Sequence, residues 1–377
     1  MQGKKKIRVL VILDNFNLGG AERQAIILTD LLNGTNDFQV SIASLNPEGN
    51  LLEDNQVSKL LIKLKQYKSH TNLALIICEM FFYSIRLRKL KPDVIIPFTI
   101  RPNVIVNFAW QLTGAKCCFW NQRDEGFGFP KTRDVMFYWS FWNSTAYIAN
   151  SVSSGNALTG YLRGIASKVT IIPNGISPTY PSLPTKEWQS RFATEGRLVA
   201  VMIANLTNRK DHETVIKSWA YLKYEQELKT LPKLILVGKK AESFEKLNDL
   251  INQLRLTDDI VFSDFVVDIA GLLTIADIAI HSSLSEGMPN AILECMQKSK
   301  PVIASDILAH RNVLGEDYKF LFGIGDYKQL SEMVISLCNS RSERESLGAR
   351  NQKRLEENFA ALKMMNAYSD LIKSKLK

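Results

Sequence analysis

The sequence lacks long apolar runs and regularly spaced cysteines. Its five cysteines are odd in number and show no Cys-x-x-Cys spacing, which argues against a disulfide framework and against a zinc site. The apolar run near the N-terminus ends after seven residues at Asp14 without a small-residue cleavage site, so it indicates a first β-strand and not a signal peptide. The segment LALIICEMFFYSIRL is too short and too interrupted to span a bilayer. We therefore expect a protein of the reducing cytoplasm.

The apolar residues that are present suffice for two hydrophobic cores. The chain has 377 residues, of which 46% are hydrophobic and 23% are charged, as in an ordinary folded protein. A single core rarely serves more than about 250–300 residues. Two domains are therefore predicted.

Basic residues exceed acidic ones, and most of the excess falls in one segment. The chain has 47 Lys and Arg against 38 Asp and Glu, a formal net charge of +9. Between residues 57 and 91 a single acid, Glu79, accompanies eight basic residues, a net charge of +7. These are Lys59, Lys63, Lys65, Lys68, Arg86, Arg88, Lys89 and Lys91. A basic segment with apolar and aromatic residues fits an anionic membrane surface; in the alternative, its apolar side packs on a sheet and its lysines face water. Nucleic acid is not expected as a partner, because no stacking-aromatic or helix-turn-helix pattern accompanies the charge.

Short apolar stretches alternate with amphipathic helices along the chain. The first half predicts strands at IRVLVIL, FQVSIAS and PDVIIPF, with helices from about Gly20 to Asn33 and from about Asn72 to Leu90. Residues 177–188, SPTYPSLPTKEW, contain three prolines and indicate a hinge or linker. The pattern then restarts with RLVAVMIAN, KLILVG, DIVF, DIAI and KPVIAS. The fold class is therefore α/β, with two mainly parallel sheets.

The segment LSEGMPNAILECM, residues 284–296, places two carboxylates around the start of a helix. We predict that Asn290 caps a helix running from Ala291, whose first-turn N–H groups would attract phosphate. Glu286 before the turn and Glu294 within the helix would accept hydrogen bonds from hydroxyl groups. A nucleotide sugar, with phosphates between two polyols, fits this arrangement. The alternative is a loop carboxylate and a solvated helix face, but the strand-loop-helix-strand context favours a site, because ligands bind beyond the carboxyl ends of such strands.

Five segments in order resemble the glycosyltransferase family four type of retaining, nucleotide-sugar-dependent enzymes, within glycosyltransferase group 1. The most specific is SEGMPNAILECMQKSKPVIASD, which is similar to the family segment with two glutamates eight positions apart. The others are NLGGAERQAIILTDLL, IIPNGIS, ANLTNRKDHETVIKSWA and VFSDFVVDIAGLLTIADIAIHSS. The resemblance spans nearly the whole chain.

The resemblance implies the B-type glycosyltransferase fold, in which two Rossmann-like domains face each other across a cleft. It implies an acceptor-binding domain over residues 1–180, a nucleotide-sugar-binding domain over 190–355 and a C-terminal helix over 356–377 that returns to the first domain. The implied reaction is a retaining transfer of a hexose or N-acetylhexosamine from a nucleoside-diphosphate sugar to a glycan. A polyprenyl-linked oligosaccharide is the expected acceptor, in the synthesis of a surface polysaccharide such as capsule, O-antigen of lipopolysaccharide or exopolysaccharide.

Residues of both predicted domains are candidates for the donor site. Glu286 would position the sugar, Glu294 would hold the ribose, and Arg209 and Lys210 would stabilise the departing diphosphate. The remaining donor-binding candidates are Gly19, Gly20, Asn205, Gly287, Met288, Pro289, Asn290 and Ala291. The two early glycines would let a phosphate approach the backbone, although a tight turn also explains them. No cofactor is expected, and the absence of an Asp-x-Asp motif argues against a catalytic metal.

The sequence departs from the family pattern at two places. The family commonly has an arginine five positions before the lysine, where this chain has Asn205, and Arg209 is the candidate to supply that charge. Many members also carry a histidine near the reacting sugar, in a loop that here reads CFWNQRDEGFGFP. Asp124, or Glu125 beside it, is expected to orient the acceptor hydroxyl, with Arg123 as its electrostatic partner; a structural ion pair is the alternative.

Two other functions stay open at this stage. A sugar-nucleotide epimerase of the same architecture would need a similar diphosphate site. A catalytically silent sugar-binding protein would be consistent with Asn205 and with the missing histidine. For the transferase, the basic segment predicts peripheral contact with the inner face of the plasma membrane.

Overall fold

The chain forms two compact units. A computed structural model describes residues 5–54, 57–126, 128–130, 134–162, 164–177, 183–226, 230–264 and 266–377. The N-terminal unit comprises Met1–Gly175 and Ala360–Lys377, and the C-terminal unit comprises Ile176–Phe359. The predicted boundaries at 180 and 356 lie five and four residues from these limits, whereas the C-terminal unit begins at Ile176, 14 residues before the predicted start at 190. Within the predicted hinge, residues 178–182 lie outside the described part of the chain.

The N-terminal unit is built on a seven-stranded parallel sheet. Its strands are β1 (Ile7–Asn15), β2 (Phe38–Asn46), β3 (Leu61–Ile62), β4 (Val94–Pro97), β5 (Cys117–Gln122), β6 (Ala146–Ala149) and β7 (Val169–Ile171), in the order β3-β2-β1-β4-β5-β6-β7. The helices between them are α1 (Gly20–Asn33), α2 (Leu73–Arg88), α3 (Ile100–Asn107), α4 (Val135–Trp142) and α5 (Val152–Tyr161). The central strands are buried on both faces, as the continuous apolar runs in the sequence predict.

The C-terminal unit repeats this architecture with a six-stranded parallel sheet. Its strands are β8 (Val199–Ile203), β9 (Lys233–Val237), β10 (Ile260–Ser263), β11 (Ile278–His281), β12 (Val302–Ser305) and β13 (Leu321–Phe322), in the order β10-β9-β8-β11-β12-β13. Its helices are α6 (Thr185–Phe192), α7 (His212–Tyr224), α8 (Phe244–Gln253), α9 (Ile269–Ile275), α10 (Asn290–Gln297), α11 (Leu308–Leu314), α12 (Tyr327–Asn339) and α13 (Arg341–Asn358).

The last helix, α14 (Ala361–Leu376), belongs to the N-terminal unit. Its Met364, Tyr368 and Ile372 are buried in the same core as the apolar residues of β1. The Tyr368 hydroxyl accepts a hydrogen bond of 3.1 Å from the Asn121 side chain at the end of β5. The helix therefore completes the core of a unit whose other residues all precede position 176.

Strand order fixes where each sheet can hold a ligand. The order reverses between β1 and β4 in the first sheet and between β8 and β11 in the second. Successive connections leave such a switch point in opposite directions, which opens a crevice at the carboxyl ends of its two strands. The loops after β8 and β11 carry most of the predicted site residues.

The predicted elements are confirmed with small shifts at their ends. Helix α1 has the predicted limits, and α2 begins one residue later than predicted, because Asn72 caps it by accepting hydrogen bonds from two N–H groups of the first turn. No helix within the described ranges combines the length and apolar character needed to cross a bilayer. One face of α2 packs in the core through Met80, Tyr83 and Leu87, while its other face is exposed.

Candidate functional site

The loops that follow β8 and β11 are joined by backbone hydrogen bonds. Lys210 and Ser283 form an antiparallel bridge. The Asp211 N–H donates to the Ser282 carbonyl at 3.1 Å, and the Leu284 N–H donates to the Arg209 carbonyl at 2.9 Å. Side chains on these two loops are therefore held side by side at the switch point of the C-terminal sheet.

Side chains reinforce this junction from two further elements. The Asp211 carboxylate caps α7 by accepting from the Thr214 N–H, and its second oxygen accepts from the Ser282 hydroxyl at 3.2 Å. At the end of β12, the Ser305 hydroxyl donates to the Ser283 carbonyl at 2.8 Å and accepts from the Ser283 N–H at 3.0 Å. The ends of three adjacent strands thus share one hydrogen-bonded network, which gives the site little freedom to move.

A charged cluster lies at the centre of this network. The Lys210 ammonium donates to Glu286, and both side chains are largely buried, with exposed fractions of 20% and 15%. Glu286 Oε1 also accepts from the Ser283 hydroxyl at 2.7 Å and lies 3.3 Å from His281 Nε2. Lys210 Nζ lies 3.5 Å from the same imidazole nitrogen. Two of the predicted catalytic residues, 76 positions apart, are therefore in direct contact.

The cluster fixes its own protonation. Burial by itself disfavours a charge on Glu286, but the Lys210 ammonium and His281 outweigh it and hold the pKa of this carboxyl well below its usual value. Burial, together with the Lys210 charge, lowers the pKa of His281. At neutral pH the cluster therefore contains a carboxylate, an ammonium and a neutral imidazole. In the tautomer with its proton on Nε2, His281 donates to the Glu286 carboxylate at 3.3 Å.

A second buried histidine packs against His281. The ring of His310, in α11, meets the His281 ring edge to face with centroids 5.1 Å apart. Its Nδ1 donates to the Ser305 carbonyl at 2.6 Å, and burial lowers the pKa of His310 to about 3. Its Nε2 is buried and has no hydrogen-bond partner among the described residues.

His281, Glu286 and His310 are also the residues to consider for a metal. Their ligand atoms lie within 4.8 Å of one another. However, the Lys210 ammonium and the Ser283 hydroxyl already donate to the Glu286 carboxylate. The absence of a catalytic metal stays a prediction.

The predicted cap of α10 is wrong. The helix begins at Asn290 and not at Ala291, and the residue before it, Pro289, offers no side-chain cap. Proline fixes the backbone φ, here −81°, and the extended conformation of Pro289 makes it the last residue outside the helix. The Pro289 carbonyl accepts from the N–H of Ile292. The helix end nevertheless follows Glu286 directly, and its first turn keeps the excess of N–H donors that attracts an anion.

The other candidates on this segment line the same turn. Gly287 is buried beside Pro289, whereas Met288, Ala291 and Glu294 are partly exposed. Glu294 lies in the second turn of α10, between the buried Leu293 and Cys295. Its carboxylate is thus presented at the edge of the helix and not in the core.

Asn205 and Arg209 differ in their contacts. Both are exposed in the loop after β8. The Asn205 side chain accepts a hydrogen bond of 3.0 Å from the Lys239 N–H, which ties the ends of β8 and β9 together. Arg209 directly precedes Lys210, and its carbonyl accepts the Leu284 N–H that joins the two loops. Asn205 therefore has a bracing contact that does not depend on any ligand.

Gly19 and Gly20 lie at the switch point of the N-terminal sheet. Gly19 precedes α1 in an extended conformation and Gly20 is the first helical residue. A Cβ added at Gly19 would come within 2.7 Å of the Glu22 carboxylate. That oxygen is the far end of a flexible side chain that can move aside, so packing alone does not require glycine at this position.

The loop that follows β5 has its own structural bonds. Asp124 Oδ1 accepts from the Gln122 amide at 2.7 Å and from the Gly126 N–H at 2.8 Å, which closes a tight turn. The Arg123 guanidinium donates to Asn174 Oδ1 at 2.7 Å and lies over the Phe98 ring, 4.9 Å from its centroid. The structure thus gives Asp124 a turn-forming contact, and the predicted orienting role stays a prediction.

Three residues of the cluster were missed by sequence reasoning: His281, Ser283 and His310. The available signal was position, since His281 ends β11 and Ser283 follows it in the loop that leads to Glu286. His310 gave no local signal, because its contact with the cluster depends on how α11 packs.

Comparisons with known proteins place the C-terminal unit in a sequence context. The family described as Glycosyl transferases group 1 matches residues 185–354, nearly the whole C-terminal unit. N-acetyl-alpha-D-glucosaminyl L-malate synthase of Bacillus anthracis is 24% identical over 179 residues, 47% of this chain and 46% of that protein. The chain spans about half the length of the curated relatives it matches.

Similar solved structures cover both units. Alr3699/HepE of Anabaena, crystallised in complex with UDP and glucose, has a TM-score of 0.80 at 17% identity, covering 97% of this chain and 99% of that one. WaaG, a glycosyltransferase involved in lipopolysaccharide biosynthesis, has a TM-score of 0.72 at 16% identity, with 97% and 99% coverage. These likenesses concern the fold. The chain therefore has the B-type glycosyltransferase fold, and its residues 185–354 match the family of group 1 glycosyl transferases.

Proposed function

We propose that the protein is a retaining, metal-independent glycosyltransferase that moves a hexose or N-acetylhexosamine from a nucleoside-diphosphate sugar to a glycan acceptor. The observation that carries this proposal is the buried contact of Lys210, Glu286 and His281 at the switch point of the C-terminal sheet. It combines a cation for phosphate with a carboxylate for hydroxyl groups, directly before the start of a helix.

The geometry suggests how the cluster would act on a donor. A diphosphate beside α10 would compete with Glu286 for the Lys210 ammonium, because phosphate oxygens carry more charge than one carboxylate. Once Lys210 turns to the diphosphate, Glu286 has acceptor capacity for the hydroxyl groups of the sugar. Arg209 and the first turn of α10 would add to the stabilisation of the charge that grows as the glycosidic bond breaks.

Nothing in this scheme requires Glu286 to attack the sugar. A double displacement normally uses two carboxyl groups about 5–5.5 Å apart, and the groups in contact with Glu286 among the described residues are an ammonium, a hydroxyl and an imidazole. Glu294 is proposed to hold the ribose through its partly exposed carboxylate.

The nature of the substrates is supported by the relatives. HepE has been crystallised with UDP and with UDP-glucose, which supports a nucleoside-diphosphate sugar as donor. WaaG is involved in lipopolysaccharide biosynthesis, which supports a surface polysaccharide as product; the polyprenyl-linked oligosaccharide is part of the proposal. The exposed lysines of residues 59–68 would hold the enzyme near the anionic inner face of the plasma membrane, where such acceptors are found.

The test is mass spectrometry of the products formed from a panel of nucleotide sugars offered with polyprenyl-diphosphate-linked acceptors. We expect one donor to extend the acceptor by one sugar, with the anomeric configuration of the donor retained by NMR. The Lys210→Ala variant should lower turnover more than it raises the KM for donor, because its charge matters most as the bond breaks.

The same assay separates the two alternatives. An epimerised free nucleotide sugar formed without acceptor would replace the transferase by an epimerase. A protein that binds donors but neither transfers nor hydrolyses them, under conditions in which it is folded, would be a silent sugar-binding protein. An inverted product would contradict the retaining mechanism alone.

A further inference from the structure

Helix α2 exposes apolar side chains where a surface helix would ordinarily be polar. Its buried face carries Met80, Tyr83 and Leu87. The opposite face carries Phe82 at 59% exposure and Ile85 at 48%. Leu73, Leu75 and Phe81 are exposed as well, and the only charged residue between Leu73 and Ile85 is Glu79. A helix that packs one stripe on a sheet should present polar residues to water, so this face requires another explanation.

Helix α4 continues the apolar surface. Val135, Trp139 and Trp142 follow one another at helical spacing, with exposed fractions of 80%, 58% and 53%. The other four of the six tryptophans, Trp110, Trp120, Trp188 and Trp219, are buried. Both exposed tryptophans of the chain therefore lie on one side of this short helix.

The two helices meet through Phe108. The Phe81 ring packs edge to face on the Phe108 ring at 5.8 Å, and Trp139 Nε1 donates to the Phe108 carbonyl at 3.0 Å. The exposed side chains of the two helices thus flank Phe108 and together make one surface. We name it the α2–α4 apolar face and define it by Leu75, Phe81, Phe82, Ile85, Val135, Trp139 and Trp142.

Cations border this face. Arg88, Lys89 and Lys91 are exposed at the end of α2 and just beyond it. On the side before α2, Lys65 and Lys68 are exposed on a segment that packs against the helix. Arg86 holds that segment by donating to the Lys65 and Gln66 carbonyls, and its own charge is paired with Glu79 at 2.6 Å. Because Arg86 is paired with Glu79, the positive charge that the rim presents to a partner comes from the lysines and Arg88.

An apolar, tryptophan-bearing centre with a cationic rim matches an anionic bilayer better than it matches a protein. Tryptophan prefers the boundary between headgroups and acyl chains, and each Lys or Arg near such a surface adds attraction. Protein–protein interfaces, in contrast, are depleted of lysine. The charge pattern thus selects lipid as the occupant.

We propose that the α2–α4 apolar face inserts into the headgroup boundary of an anionic bilayer, with Phe82, Trp139 and Trp142 among the acyl chains and the rim lysines on lipid phosphates. This contact is not only electrostatic. It also buries apolar and aromatic side chains in the bilayer, and these side chains stay in place when the lysines are substituted. The proposal extends the proposed function, since it would hold the enzyme where lipid-linked acceptors lie. It can fail independently, because vesicle binding needs no sugar nucleotide.

The chain provides a reporter on each helix. The exposed Trp139 and Trp142 report on α4 through quenching by brominated lipids. Cys78 is the one exposed cysteine of five, and it lies on α2, so an environment-sensitive dye attached there reports on insertion of that helix. The probes are vesicles of phosphatidylcholine with and without phosphatidylglycerol.

Insertion predicts brominated-lipid quenching of tryptophan and a blue shift of the Cys78 dye with the anionic vesicles, and a part of the binding that survives high salt. The variant Phe82→Ser/Ile85→Ser should lose at least tenfold in vesicle affinity, and Trp139→Ser/Trp142→Ser should do the same when it is followed with the dye. The matched control is Val267→Ser/Ile324→Ser, which removes two exposed apolar side chains from the C-terminal unit and should leave vesicle affinity unchanged.

Three results would overturn the proposal. Binding without quenching, or binding that Phe82→Ser/Ile85→Ser leaves intact, would make the contact purely electrostatic. A dimer in sedimentation that the same variant dissociates would assign the face to a second copy of the chain. Transfer to a water-soluble acceptor analogue should be unchanged in Phe82→Ser/Ile85→Ser, so its loss would indicate misfolding, and the single Phe82→Ser variant would then be measured in its place.

Discussion

The Lys210–Glu286 contact predicts an energetic coupling that a double-mutant cycle can measure. Lys210→Met keeps most of the side-chain volume but leaves the Glu286 carboxylate largely buried without its cation. Removing one partner of a fully buried ion pair costs about 3–5 kcal/mol. Because these two side chains keep 20% and 15% of their exposure and Glu286 retains the Ser283 hydroxyl, we expect roughly 2–4 kcal/mol of unfolding free energy to be lost.

The second substitution should restore most of this loss. Glu286→Gln in the Lys210→Met background removes the unpaired charge and keeps a polar side chain that can still bond to Ser283. The free energy of unfolding of the double variant should lie within about 1–2 kcal/mol of the wild-type value. This corresponds to a coupling energy of about 2 kcal/mol between the two positions. The free energies would come from urea unfolding, with hydrogen exchange in the C-terminal unit to locate the change.

A matched surface pair provides the control. Lys217 and Glu213 form an ion pair of 2.8 Å within α7, with exposed fractions of 46% and 35%, and such pairs contribute at most about 1 kcal/mol. Lys217→Met should therefore have a small effect, and combining it with Glu213→Gln should show little coupling. If the Lys210 and Glu286 substitutions proved additive, the contact would not stabilise the site. The proposal that Lys210 leaves Glu286 for the donor diphosphate would then lose its basis.

The remaining predictions concern acid stability and the ribose contact. Burial holds the pKa of His212 at about 4 and that of His310 at about 3, below the value of about 6.5 in unfolded chains. The two neutral histidines therefore contribute fully to the free energy of unfolding above pH 6.5. As the pH falls from there towards the folded pKa, each histidine lowers that free energy by up to about 1.4 kcal/mol per pH unit. Calorimetric melting should therefore show a clear loss of stability from pH 7 to pH 5, and an equal melting temperature at both values would contradict it. Glu294→Ala should weaken the binding of the donor's nucleoside diphosphate by roughly 1.5–3 kcal/mol, the contribution of hydrogen bonds to a charged group. Isothermal calorimetry would measure this loss, with the exposed Glu332→Ala as control, and unchanged affinity would remove Glu294 from the site.

Local patterns predicted the elements well because the evidence for each element lies within it. The apolar runs of β1 and β8 and the periodic sequence of α1 do not depend on distant residues. The predicted start of α10 differs by one residue, because Asn290 is a favourable capping residue but Pro289 before it is the last residue outside the helix. Asp124 was chosen for its charge, and its turn-forming bonds to Gln122 and Gly126 were not anticipated.

The candidate site was only partly predictable for a different reason. Glu286 and Lys210 were identified separately, but their direct contact spans 76 positions and depends on the order of strands in the sheet. His310 reaches the cluster only through the packing of α11. For α2, periodicity showed an apolar helix but could not indicate that half of the apolar residues face outward, because burial is a property of the whole fold.

The discontinuity of the N-terminal unit has a consequence for synthesis. Its core needs Met364, Tyr368 and Ile372, and the bond between Asn121 and Tyr368 joins residues 247 positions apart. The C-terminal unit is continuous and is fully translated before α14 exists. On the ribosome, the unit that is made second can therefore close its core first, while the unit that is made first waits with an exposed sheet face for the final helix. A chain released before residue 361 would have an intact C-terminal unit and an incomplete N-terminal core, so the folding of the whole molecule depends on the last helix.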